Sequence, residues 1–147
     1  MQNASEKDFD MPYNADISLL IVENDKSCLD IFQSIVSLRF PKLIVHTAFD
    51  PAEAIAKYQD YRHNIVITDL FAPQKHGLVI AKKVCETNPQ TVVIFITADT
   101  DTVWDTLKHK AKRLCLEGML HKPIDLKEVI DKLTEAIGII NMRTQGK

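Results

Sequence analysis

Ile65-Val66-Ile67-Thr68-Asp69-Leu70-Phe71-Ala72-Pro73 is the stretch that decides the fold. β-branched and apolar residues lead into one acid, and the chain then breaks at a proline. Such a run predicts a strand buried on both faces. An acid where that strand ends stands at the carboxyl edge of a sheet, the side on which open α/β folds take ligands. Asp69 is therefore the first candidate for a working group.

Upstream, Ile17 to Val22 reads as another strongly apolar strand, closed by Glu23-Asn24-Asp25. From Lys26 to about Phe40, Cys28, Ile31, Phe32, Ile35 and Val36 recur on one helical face, and Pro41 stops it. Leu43 to Ala48 predicts a second strand. Asp50-Pro51-Ala52-Glu53 then supplies an acceptor cap, a proline at the first helical position and a Glu three residues after the cap, opening a helix to about Tyr61.

Downstream of Pro73, Leu78 to about Asn88 predicts a helix, Thr91 to Thr97 a strand, and Thr102 to about Leu116 a helix carried by Trp104, Leu107, Ala111 and Leu114. Met119-Leu120-His121 predicts a short strand before Lys122-Pro123. Asp125-Leu126-Lys127-Glu128 repeats the capping pattern and opens a last helix. Five strands alternating with five helices imply a parallel sheet covered on both faces. The expected division is a leader over 1–16, one domain over 17–140 and a frayed polar tail over 141–147.

Composition narrows the function classes. The chain has 147 residues, 46% hydrophobic and 26% charged, as an ordinary single globular domain would. With 18 basic against 20 acidic residues, the balance gives no support to a nucleic-acid surface. No apolar run approaches the ~18 residues of a membrane span, and the polar, acidic start lacks a signal-peptide pattern. A cytoplasmic protein is expected. Cys28, Cys85 and Cys115 are odd in number and irregularly spaced, so reduced thiols packed within helices are expected. His46, His63, His76, His109 and His121 show no metal-ligand spacing and read as structural or exposed.

Four polar features fall at strand ends: Glu23-Asn24-Asp25, Asp69, Thr97-Ala98 and Lys122-Pro123. Parallel strands bring all four to one edge. Acids there make a hard-oxygen site suited to Mg²⁺, and a lysine and a hydroxyl beside them suit a phosphoryl group. The bland readings stand beside these. Glu23 and Asn24 also suit capping of the first helix, Thr97 suits a strand edge, and Lys122 suits a solvated surface.

Val22-Glu23-Asn24, Ile67 to Pro73 with Gly77, Ile96-Thr97-Ala98 and Lys122-Pro123 together resemble the receiver domain of bacterial two-component response regulators, over about residues 16–140. The resemblance implies a doubly wound, flavodoxin-like sheet in strand order 2-1-3-4-5. It implies Asp69 as the phosphoacceptor, Lys122 pairing with the carboxylate and then the phosphate, and Thr97 reorienting toward the phosphoryl oxygen. Glu23, Asn24, Asp69 and the Phe71 carbonyl would hold Mg²⁺, and Pro123 would follow Lys122 through a cis bond. The implied partners are a histidine kinase or phosphotransfer protein, and a downstream effector or fused output domain. A phosphorylation-dependent dimer fits the same scheme, whereas direct contact of this domain with nucleic acid or membrane does not. A signalling domain is implied, not a turnover enzyme, although one that assists its own phosphotransfer and slow autodephosphorylation.

The sequence also departs from that family. Asn24 stands where a second acid is common, which predicts weaker Mg²⁺ binding, with Asp25 better placed to start the helix. Met119 replaces an aromatic residue three before the lysine, and the segment between Thr97 and Lys122 is about a turn longer than is usual in that family. The alternative they support is a degenerate receiver that binds partners without phosphorylation. A hydrolase on a similar sheet is disfavoured, since Asp69 lacks a second acid two residues on and no GxSxG occurs. No output domain follows the last helix, so a stand-alone receiver or the first domain of a longer chain is expected.

Overall fold

The computed structural model describes residues 16–70, 76–98 and 105–145. Its elements are β1 (Ser18–Val22), α1 (Lys26–Arg39), β2 (Ile44–Ala48), α2 (Pro51–Tyr61), β3 (Ile65–Asp69), α3 (His76–Thr87), β4 (Val92–Thr97), α4 (residues 105–107), β5 (Leu116–His121) and α5 (Leu126–Gln145). All strand pairs are parallel, in the order β2-β1-β3-β4-β5. Each central strand sends alternate residues to opposite faces. Leu19, Ile21, Ile65, Ile67, Ile94 and Ile96 pack with α1 and α5, while Leu20, Val66, Val93 and Phe95 pack with α2 and α3. The apolar run that decided the fold is thus buried on both sides.

Helix starts follow the sequence signals. The Asp50 side chain accepts from Glu53 N–H at 2.8 Å, and Glu53 reaches back to Phe49 N–H at 2.7 Å. The Asp25 side chain caps α1 by accepting from Cys28 N–H, so the capping reading of Glu23 and Asn24 gives way to Asp25. Asp125 caps α5 through Glu128 N–H.

Three expectations are corrected. The helix expected over Thr102 to about Leu116 is helical at 105–107 but tightens into two 3₁₀ turns, Lys108–Lys110 and Lys112–Leu114. Cys115 ends the second turn in the left-handed region, φ 55°, and β5 begins at Leu116, three residues earlier than expected. Apolar residues spaced three and four apart suit either kind of turn, which is why the pattern read as one helix. Secondly, Cys85 and Cys115 are joined as a disulfide, and Cys115 lies outside any α-helix; only Cys28 is a free thiol. Thirdly, α5 runs on to Gln145 where fraying was expected beyond Ile140. Arg143 holds its end by donating to the Gln90 carbonyl at 2.6 Å and pairing with Glu117 at 3.3 Å. Trp104 and residues 1–15 of the expected leader lie outside the described residues.

At the amino ends of the strands, buried polar groups staple neighbours together. Ser18 N–H donates to Asn64 Oδ1 at 2.9 Å, and the Tyr58 and Thr91 hydroxyls bond at 2.8 Å. Fully buried His63 shares a 2.8 Å ring hydrogen bond with His46. Burial, with His46 and Lys57 adding to it, lowers the His63 pKa to about 4, so its ring is neutral.

Candidate functional site

The parallel sheet delivers its strand ends to one rim. β1 ends just before Glu23, β3 ends on Asp69, β4 on Thr97, and Lys122 follows β5. The ladder continues one step beyond the strands, with Leu70 N–H donating to the Ile96 carbonyl and Lys122 N–H to the Thr97 carbonyl, both at 3.0 Å. These bonds place the Lys122 backbone beside Thr97, which itself follows Ile96, the register partner of Asp69. The Lys122–Pro123 bond is cis, as the resemblance implied.

Lys122 Nζ donates to Asp69 Oδ2 and lies 3.1 Å from Glu23 Oε2. One ammonium therefore bridges two acids that are almost wholly buried, Glu23 at 1% exposure and Asp69 at 6%. Glu23 Oε1 accepts from Asp25 N–H at 3.1 Å. Its Oε2 touches the ammonium as a charge but is aligned with no hydrogen-bond donor among the described residues. Burial raises the Glu23 pKa, and the Asp69 charge adds to that, while Asp25 N–H and Lys122 act in the opposite direction. Burial by itself would lower the Lys122 pKa, but the hydrogen bond to Asp69 and the negative pull of both Glu23 and Asp69 outweigh it and raise it. The lysine is thus firmly protonated, and its bland reading as a solvated charge fails.

Two carboxylates against one ammonium leave a net negative charge, and a buried oxygen without a donor is costly. A divalent cation would satisfy both. Glu23 and Asp69 therefore fit a Mg²⁺ ligand set, although no cluster of three or more His, Cys, Asp or Glu occurs among the described residues. Asn24 is exposed in the bend between Glu23 and Asp25 and brings no charge. Phe71, whose carbonyl was the further expected ligand, lies outside the described residues. Thr97 is buried, at 2% exposure, and Met119 is buried on the α3 face, paired in register with Phe95.

Two contributors escaped sequence reasoning. Gly77, noted only as part of a motif, packs its Cα onto the loop that carries the acid. A Cβ there would come within 2.6 Å of the Asp69 carbonyl oxygen and 2.7 Å of Leu70 Cα, so only glycine permits this approach. The Asp25 backbone N–H orients Glu23 while the Asp25 side chain caps α1. The signal for the cap was present, an Asp directly before a periodic helix; nothing in the sequence marks the amide.

A parallel sheet with acids, a lysine and a threonine at its carboxyl rim defines a doubly wound domain, a class that takes its ligands at that rim. Comparison with known proteins specifies it further. The model of the response regulator receiver domain family matches residues 19–134, and the chain belongs to that family. Its members are signalling domains, not enzymes in the ordinary sense. Among curated relatives, transcriptional regulatory protein DltR of Streptococcus agalactiae is 27% identical over 115 residues, covering 78% of this chain and 49% of that protein. Transcriptional regulatory protein TrcR of Mycobacterium tuberculosis is 26% identical over 117 residues, covering 80% and 44%. The chain spans about half the length of these relatives. A CheY-like receiver domain from Methanospirillum hungatei superposes with a TM-score of 0.75 at 19% identity, covering 88% of this chain and 99% of its own. Chemotaxis response regulator CheY4 of Vibrio cholerae gives 0.70 at 24%, covering 83% and 99%. These likenesses agree with the flavodoxin-like fold and its strand order. Among the described residues, no helix is long and apolar enough to cross a membrane.

Proposed function

We propose that Asp69 accepts a phosphoryl group from a phosphohistidine on a histidine kinase or phosphotransfer protein, with Mg²⁺ held by Glu23, Asp69, the Asn24 amide and the Phe71 carbonyl. The observation that carries this is the Lys122 ammonium bridging Asp69 and buried Glu23 at the carboxyl rim. An Asp69 carboxylate oxygen attacks phosphorus, the P–N bond of the donor breaks, and the imidazole keeps that electron pair and takes up a proton. Mg²⁺, when bound, offsets the repulsion between the carboxylate and the incoming phosphoryl oxygens. Lys122, already between the two acids, is within reach to pair with the new phosphoryl group. The Thr97 hydroxyl would donate to a phosphoryl oxygen, drawing the end of β4 toward the site.

The acyl phosphate adds charge and acceptor oxygens at one rim, and the rearranged β4 end transmits this to the face formed by α4, β5 and α5. A changed affinity for an effector, a fused output domain or a second copy is the output. Water ends the signal by slowly hydrolysing the acyl phosphate. Such a switch works in the cytoplasm, beside its kinase.

Incubation with a small phosphodonor and Mg²⁺, followed by intact-mass and peptide-mapping mass spectrometry, tests the proposal. One phosphoryl group mapping to Asp69 is expected, absent in Asp69→Asn. An unlabelled wild-type chain, beside a competent receiver labelled in parallel, would overturn it and leave the phosphorylation-independent module.

A further inference from the structure

A groove of about 510 Å³ runs between α3 and the 3₁₀ turns, away from the phosphoacceptor rim. Its floor is apolar, with Leu78, Leu114 and one sulfur residue, Cys85, which is bonded to Cys115. Around it stand the exposed cations Lys82, Lys110 and Arg113, opposed by the single acid Glu86. Cys85 sits in the last turns of α3, and Cys115 is the residue directly before β5, with 5.5 Å between their Cα atoms.

Both redox states of the pair are accommodated. Cys85 Sγ lies 3.7 Å from the Lys112 carbonyl oxygen and Cys115 Sγ 3.5 Å from that of Pro89. Once the bridge is opened, each S–H finds an acceptor already in place, so neither buried thiol is left without a partner. A disulfide whose two sulfurs each already face a carbonyl acceptor is suited to exchange. The surrounding cations also attract a negatively charged attacking thiol.

We propose that the Cys85–Cys115 pair is a thiol–disulfide exchange site whose groove takes an anionic low-molecular-weight thiol of the glutathione class. A thiolate enters the groove and attacks Cys85 Sγ, the face of the bridge that lines it. The Cys85–Cys115 bond breaks, and Cys115 leaves as a thiolate and takes a proton from water. A second thiolate attacks the small-molecule sulfur of the mixed disulfide, releasing the oxidised small molecule and the Cys85 thiolate, which is protonated in turn. Two small thiols are oxidised and one bridge is reduced, and the reverse sequence closes the bridge. The bond ties the end of α3 to the start of β5, the strand that ends at the Lys122 rim, so its state sets how firmly that strand start is held. This inference does not depend on phosphorylation of Asp69.

The test uses the full chain with its bridge formed, opened by reduced glutathione (anionic), mercaptoethanol (neutral) or cysteamine (cationic). Rates are quenched by alkylation and read by peptide mapping, which separates Cys28 from the pair. Per thiolate at low salt, glutathione is expected to outpace cysteamine by about tenfold, with the ratio falling toward unity as salt rises. Lys110→Glu with Arg113→Glu is expected to slow glutathione most, mercaptoethanol less and cysteamine least, so that the preference for the anionic thiol is abolished. Failure of the bridge to form in a glutathione redox buffer would overturn the proposal. So would a salt-independent rate with no preference for the anionic thiol, measurable on the unsubstituted chain, or a preference that survives charge reversal.

Discussion

At the amino ends of the strands Ser18 and Asn64 bond each other, Tyr58 bonds Thr91, and His63 bonds His46 as a neutral ring. At the carboxyl ends of the same strands, Glu23 and Asp69 share one ammonium, and a Glu23 oxygen goes without a donor. Each end leaves one buried side-chain atom without a hydrogen-bond partner among the described residues, His63 Nδ1 at the amino end and Glu23 Oε2 at the other. The difference between them is charge: neutral groups at one, two acids against one ammonium at the other. Neutral staples fix the sheet. The uncompensated charge lies at the other rim, among the sequence features that resembled a receiver.

The contrast breaks most visibly if the bridging cation is removed. Lys122→Met leaves two buried carboxylates facing each other, and urea denaturation at pH 7 should show a loss of about 3–5 kcal/mol. The loss should be smaller at pH 5, because the Glu23 pKa is already raised and its protonation relieves the repulsion. A loss within error at both values would mean that the carboxyl rim holds no more uncompensated charge than the amino end.

The amino end has its own signature in pH. His63 in the folded chain titrates at about 4, below its ordinary 6.5. Above 6.5 the ring is neutral in both states and its contribution to stability is complete. As pH falls from 6.5 toward 4 the unfolded chain binds a proton that the folded chain refuses, so about 3 kcal/mol is lost across that window. Denaturation curves from pH 7.5 to 4.5 should show the decline, and His63→Leu should flatten it. An equal slope in the variant would assign the acid sensitivity elsewhere.

Smaller effects sharpen the geometry of the rim. Gly77→Ala forces a Cβ against the Asp69 backbone and should cost about 1–3 kcal/mol by thermal denaturation, with slower labelling of Asp69 by a phosphodonor. Asp25→Ala should cost about 1 kcal/mol through loss of the α1 cap. Its backbone amide still holds Glu23, so the Mg²⁺ affinity should stay within a factor of about two; a larger fall would make Asp25 a ligand in addition to a cap.

Much of this was legible in the residues. Strands buried on both faces, as in Ile65 to Asp69, advertise themselves through an unbroken β-branched run, Ile65 to Thr68, and polar residues at their ends then mark one rim. Asp69, Glu23, Thr97 and Lys122 were found this way, and the structure gathers Asp69, Glu23 and Lys122 into contact with Thr97 alongside. What escaped was set by tertiary contact. Residues Leu107, Ala111 and Leu114 fit a helix equally well, and only the close approach of β5 to β4 shows the tighter turns. Cys85 and Cys115 stand 30 residues apart, a spacing that carries no pairing information without the fold. The pairing of His46 with His63 likewise follows from β2 lying at the sheet edge beside the end of α2. Polar residues past Ile140 looked like a tail because their anchors, Gln90 and Glu117, are distant in sequence.

Residue-resolved NMR during a Mg²⁺ titration decides between the two rims most directly. Saturable shifts should appear at the amides of residues 22–25, 69–70 and 97–98 and be lost in Glu23→Gln, while Ser18, His46, His63, Asn64 and Thr91 stay still. Shifts centred on the His46–His63 end, or no saturable shift at any amide, would contradict the assignment of the working site to Asp69 and its neighbours.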